Sequence, residues 1–152
     1  MINKLENLST LARELGVILF KKKLICTTAE SCTGGMVCSV ITDIAGSSQW
    51  FERAFITYSN QAKHEMLDVP LEVLETFGAV SLQTVIEMAQ GALTNSNANL
   101  SVAISGIAGP GGATIDKVVG TVCFAFASDF AETISQTLQF TGDRSEVRLA
   151  ST

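Results

Sequence analysis

The stretch Leu24-Ile25-Cys26-Thr27-Thr28-Ala29-Glu30-Ser31-Cys32-Thr33-Gly34-Gly35 decides the fold of this 152-residue chain. Leu24 to Ala29 reads as a short buried strand. Glu30 to Gly35 then turns the chain into a helix that runs to about Thr42. The same alternation continues on both sides. Upstream, Leu5, Leu8, Leu11, Leu15, Ile18 and Leu19 recur at helical spacing and predict an amphipathic helix. Lys21, Lys22 and Lys23 close it, where positive charge suits the helix dipole. Downstream, Gly46-Ser47-Ser48 forms a turn, and Ala54 to Tyr58 reads as a second strand. Ser59 or Asn60 can cap the helix that carries Lys63. Pro70 suits the first turn of a further helix, which Gly78 can close. Ser81 can cap a longer one through Leu93. Leu100 to Ser105 is an apolar strand that ends in the glycine loop Gly106 to Gly112. Val118 to Ala127 and Thr133 to Phe140 read as two paired strands with a short polar connection. Strands interleaved with helices predict an α/β class. The expected architecture is a three-layer α/β/α sandwich on a mixed, mostly parallel central sheet, with residues 1–152 forming one domain.

Composition narrows the function classes. Hydrophobic residues make up 47% and charged residues 16% of the chain, as in a globular protein with a real core. The formal net charge of -5 argues against general affinity for nucleic acid or an anionic membrane. Cys26, Cys32, Cys38 and Cys123 form no C-x-x-C pair, and His64 is the single histidine. That spacing does not make a zinc site, and the cysteines read as small core residues. The amino terminus has no apolar run of signal or membrane length, so a cytoplasmic protein with reduced thiols is expected.

Polar turns at the carboxyl ends of strands are where open α/β sheets bind ligands. Glu30 to Gly35 and Gly106 to Gly112 are such turns, and their amides can hold a phosphate or an oxyanion. No Walker loop or dinucleotide fingerprint is present. Covalent chemistry needs a nucleophile and a base. Lysine can serve serine as base if burial lowers its pKa. Lys63, one helical turn past the strand ending at Tyr58, can aim its amine back at the strand end. Arg144, after the last strand, can bind a phosphate or pair with Asp143 or Glu146.

In combination these stretches are specific. They are Ala29 to Gly35, Gly46-Ser47-Ser48, Thr57-Tyr58-Ser59-Asn60 with Ala62-Lys63, Gly78-Ala79-Val80-Ser81 and Gly106-Ile107-Ala108-Gly109-Pro110. Lys117 with Val119 to Val122, and Gly142-Asp143-Arg144, complete the set. In this order, from about Leu11 onward, the chain resembles the carboxy-terminal domain of the CinA (competence/damage-inducible) family. Stand-alone members of that family are nicotinamide-nucleotide amidohydrolases. The resemblance implies hydrolysis of the carboxamide of nicotinamide mononucleotide (NMN) to nicotinate mononucleotide and ammonia, in pyridine nucleotide salvage. It implies no metal or organic cofactor, and a homodimer.

On matching residues, the resemblance implies Ser48 as nucleophile, Lys63 as general base and Tyr58 as support for the lysine or the substrate amide. Ser31, Thr33, Gly34 and Gly35 are implied in the nucleotide pocket or oxyanion hole. Ser105, Gly106, Gly109 and Arg144 are implied as substrate contacts. Ser31 and Ser48 are both turn serines, and either could be the nucleophile. Ser48 is preferred because a serine just before the strand leading to Tyr58 and Lys63 lets all three converge. Ser31, at a helix start, suits anion binding. The alternatives are an amidase of different substrate on the same scaffold and a non-catalytic nucleotide-binding domain. The larger family members carry a second, amino-terminal domain; none is expected here, and the helix after Arg144 is expected to be short.

Overall fold

The structure is a computed structural model that describes residues 2–152, with side chains from Glu6 onward. Helix α1 (Ile2–Lys22) leads to strand β1 (Cys26–Glu30), helix α2 (Met36–Thr42) and a single 3-10 turn at Ser47–Gln49. Strand β2 (Phe51–Ile56), helices α3 (Asn60–Leu67), α4 (Leu71–Phe77) and α5 (Leu82–Thr94), and strand β3 (Leu100–Gly106) follow. Strands β4 (Thr121–Ser128) and β5 (Ile134–Gln139) and helix α6 (Arg144–Ala150) complete the chain.

The five strands form one sheet in the order β2-β1-β3-β4-β5. β1 pairs parallel with β2 on one side and β3 on the other. β4 is antiparallel to both β3 and β5. Four strands therefore run one way and β4 runs against them, as expected for a mixed, mostly parallel sheet. The polar connection between β4 and β5 is too short for a crossover helix, so that pair must be antiparallel.

Two apolar clusters, one on each face, make the sandwich. Leu67, Val69, Leu74, Val85, Met88 and Ala92, from α3 to α5, pack on Ala29, Phe55, Ala103 and Ala125 of the sheet. On the other face Leu19, Val37, Ile41 and Val147, from α1, α2 and α6, pack on Cys26, Phe51, Ile104 and Phe124. Gly91 lets α5 meet the end of α3. A Cβ there would lie 1.9 Å from the carbonyl oxygen of Leu67. That approach fixes α3, and with it Lys63, against the sheet.

The caps read from sequence hold. Ser59 accepts from the amide of Ala62, and Ser81 from that of Thr84. Gly78 ends α4 at φ 77°. Three expectations shift. β2 begins at Phe51, three residues before the expected Ala54, and β4 at Thr121, three residues after the expected Val118. The buried face of α1 is Ala12, Gly16 and Leu19, while Leu11, Leu15 and Ile18 are 59%, 37% and 51% exposed. The reason is Trp50, which lies against Gly16 so closely that a Cβ would meet its ring at 2.6 Å. The helix turns Ala12, Gly16 and Leu19 to the sheet, and leaves Leu11 and Leu15 outside. The side chain of Leu5 lies outside the described residues.

Candidate active site

β1 sits where the chain reverses direction across the sheet, with β2 on one flank and β3 on the other. Ligand sites of open α/β sheets form at the carboxyl end of such a switch point. Here that end carries the Ser31–Gly35 turn, Thr57-Tyr58 beyond β2, and the glycine loop beyond β3. A cavity of about 240 Å³ opens there, lined by Ser31, Cys32, Tyr58, Ala79, Val80, Ser105, Gly106, Ala108 and Arg144.

Lys63 is fully buried below this cavity. Its Nζ lies 3.1 Å from Ser31 Oγ, 2.8 Å from the Thr57 carbonyl and 3.2 Å from the Tyr58 carbonyl. Burial pushes its pKa down to about 8. A neutral amine has two N–H groups and one lone pair. With the two N–H groups donated to the two carbonyls, the lone pair is left facing the hydroxyl of Ser31. That is the geometry of a base hydrogen-bonded to its nucleophile. The neighbouring thiol does not compete. Burial pushes Cys32 up to about 11, so it stays protonated.

Glu30 holds the Ser31–Gly35 turn from beneath. Its buried carboxylate accepts from the hydroxyls of Thr28 and Thr33 and from the amides of Gly35, Val37 and Cys38. It thereby caps α2, whose N-cap position is occupied by Gly35 and has no side chain to do so. Gly35, at φ 96°, adopts a left-handed backbone that suits glycine.

This arrangement corrects several expectations. Ser48 does not converge with Lys63. It lies in the 3-10 turn before β2, whereas Lys63 follows β2. A six-residue strand spans about 20 Å, so the two sit at opposite ends of the sheet. Ser31 instead meets Lys63, because parallel β1 and β2 deliver Ser31 and Thr57 to the same edge. Thr33, Gly34 and Gly35 do not present their polar groups to the cavity. The Thr33 hydroxyl and the Gly35 amide bond Glu30, and the Gly34 amide bonds the Ser31 carbonyl. Among the described residues, the Cys32 and Thr33 amides donate to no oxygen and lie only against the Cys32 sulfur. The Cys32 amide follows the serine directly, the place of an oxyanion donor in a nucleophile turn.

Of the other expected residues, Tyr58, Ser105, Gly106 and Arg144 line the cavity, and Gly109 does not but bonds Arg144. The carbonyl of Tyr58 holds Lys63, and its phenol accepts from Arg144 Nη2 at 3.1 Å. Arg144 Nη1 donates to the Gly109 carbonyl at 2.7 Å. The arginine thus bridges the β2 and β3 sides of the cavity. Asp143 and Glu146 form a capping box with the backbone, so neither takes Arg144 as an ion-pair partner. Ser105 and Gly106 line the cavity, with Ser105 Oγ donating to the Ala79 carbonyl. The residue that sequence reasoning missed is Arg148, whose guanidinium bonds the carbonyls of Cys32 and Thr33 at 3.0 Å each. Its spacing of four from Arg144 placed it on the same helix face.

Fold and site together define an α/β protein with a serine–lysine pair at the sheet's carboxyl edge. The chain belongs to the CinA C-terminal domain family, which it matches over residues 8–152. It is 53% identical over 145 residues to the nicotinamide-nucleotide amidohydrolase PncC of Escherichia coli K12, covering 95% of this chain and 88% of that protein. It is 51% identical over 144 residues to the PncC of Enterobacter agglomerans, with the same coverage. The crystal structure of the competence/damage inducible protein CihA from Agrobacterium tumefaciens superposes with a TM-score of 0.92. That match has 45% identity and covers 94% of this chain and 87% of that one.

Proposed function

We propose that this chain is a nicotinamide mononucleotide amidohydrolase in which Ser31 is the nucleophile and Lys63 the general base. The observation that carries the mechanism is the 3.1 Å contact between Ser31 Oγ, which lines the cavity, and the fully buried amine of Lys63. Half-identity to curated nicotinamide-nucleotide amidohydrolases over 95% of the chain supports the substrate.

Neutral Lys63 takes the Ser31 proton as Oγ attacks the carboxamide carbon. The Cys32 amide receives the oxyanion. Loss of one such donor typically costs on the order of 10²–10³ in rate. Lys63 then passes its proton to the departing amide nitrogen, and ammonia leaves. Water, deprotonated by the same amine, hydrolyses the acyl-enzyme to nicotinate mononucleotide. Arg144 supplies remote binding energy, its cation facing the cavity next to Tyr58. The four free cysteines suit a cytoplasmic protein. No helix among the described residues is long and apolar enough to cross a membrane. The exposed stripe Leu11, Leu15 and Ile18 on α1 is a surface that a homodimer would cover.

Ammonia release from NMN tests the assignment. Ser31→Ala is expected to lower turnover at least a thousandfold with the fold intact, and Ser48→Ala to keep most of it. Substantial activity in a folded Ser31→Ala protein, with loss in Ser48→Ala, would return the nucleophile to Ser48.

A further inference from the structure

Helix α6 reaches the site through two arginines one turn apart, and they do different things. Arg144 faces the cavity. Arg148 does not line it. It lies behind the nucleophile turn, with Nε donating to the Cys32 carbonyl and Nη2 to the Thr33 carbonyl, both at 3.0 Å. No carboxylate pairs with it among the described residues. Its whole hydrogen-bonding role is thus given to two consecutive carbonyls of the turn that carries Ser31.

The consequence follows from peptide geometry. In a trans peptide the C=O and N–H vectors are antiparallel. A guanidinium that draws the Cys32 carbonyl toward α6 turns the Thr33 N–H away from α6. The Gly34 amide does the same for the preceding peptide. By bonding the Ser31 carbonyl, it aims the Cys32 N–H the other way. Glu30 fixes the far end of the turn through Thr33 Oγ1 and the Gly35 amide. Among the described residues, Arg148 is the one side chain that bonds the carbonyls in the middle of the turn, and it shares the Thr33 carbonyl with the Met36 amide at 3.3 Å.

We propose that Arg148 is a positioning residue for the hydrolysis. By holding the Thr33 carbonyl it keeps the Gly34 N–H of the same peptide on the Ser31 carbonyl, and so keeps the Cys32 amide facing the developing oxyanion while Ser31 Oγ stays on Lys63. This rests on the reading of Ser31 as nucleophile. Because Arg148 touches the turn and not the cavity, its removal lowers kcat and leaves substrate binding alone. A planar fork that spans two carbonyls is not reproduced by an ammonium, so lysine is a poor substitute.

The test is steady-state NMN hydrolysis by Arg148→Ala and Arg148→Lys, with Ser31→Ala in the same assay. Expected are a tenfold to hundredfold loss of kcat in both Arg148 variants, KM within twofold of wild type, and partial recovery of Arg148→Ala by millimolar guanidinium. Adding Arg148→Ala to Ser31→Ala should leave the Kd for NMN unchanged by calorimetry. Wild-type kcat in either variant, a rise in KM at constant kcat, or a weakened Kd would overturn the proposal. If Arg148→Ala does not fold, Arg148→Lys alone decides it by the same kcat and KM criteria. Activity surviving in Ser31→Ala would instead sink the nucleophile assignment, whatever the Arg148 variants do.

Discussion

Lys63 is a cation by habit held in a place that favours its neutral form. Fully buried, with two carbonyls and a hydroxyl around Nζ, its pKa falls to about 8 because charge is costly away from water. The folded pKa is lowered, so the neutral amine, the form the proposed base needs, grows as pH rises through about 8. We therefore expect kcat/KM to climb about tenfold per pH unit below that value and to level off above it. A pH profile of the free enzyme that is flat between 6 and 9 would remove Lys63 as the base. Lys63→Arg should be inactive at every pH in the same measurement, since guanidinium does not lose its proton in this range. The lysine was legible from sequence, because a helix cap at Ser59 fixes where Lys63 stands relative to the strand end. The serine was not. Ser31 and Ser48 are equally good turn serines, and only strand direction says which of them shares an edge with Lys63.

At the scale of elements, one carboxylate joins β1 to α2. Glu30 is buried and surrounded by donors alone, and it does for α2 what Gly35 has no side chain to do. Glu30→Gln keeps the shape but turns one acceptor into a donor facing N–H groups. Leaving such groups unsatisfied costs about 1–3 kcal/mol, so the variant should melt several degrees lower in a thermal unfolding experiment. An unchanged Tm would mean the turn is held by other bonds. The elements themselves were largely readable. Ser59, Ser81 and Gly78 announced helix ends through local chemistry, and the glycine turn after β1 announced the site. The orientation of α1 was not readable, because the leucine stripe is the better hydrophobic face and lost to a tryptophan brought in from 34 positions away. Arg148 was only half readable. Its spacing of four from Arg144 marks the helix face, but its partners lie 115 and 116 residues upstream and do not show in the local sequence.

For the whole molecule, the uncovered leucines make a prediction about assembly. Leu11, Leu15 and Ile18 stand at i, i+4 and i+7 on the outer face of α1, too apolar a stripe for a helix facing only water. We expect light scattering to give a mass of two 16.1 kDa chains, and Leu15→Lys with Ile18→Lys to halve it. A single-chain mass for the unaltered protein would sink the dimer. The reach of α6 has a different consequence, in time. Contacts between residues more than a hundred positions apart are among the last a folding chain can make, since their loop must close before they reward it. The Ser31–Gly35 turn, which we propose to be catalytic, is tethered by such contacts. A nascent chain can therefore build its sheet and most of its helices and still lack hydrolytic competence, until the residues of α6 have been synthesised and have docked.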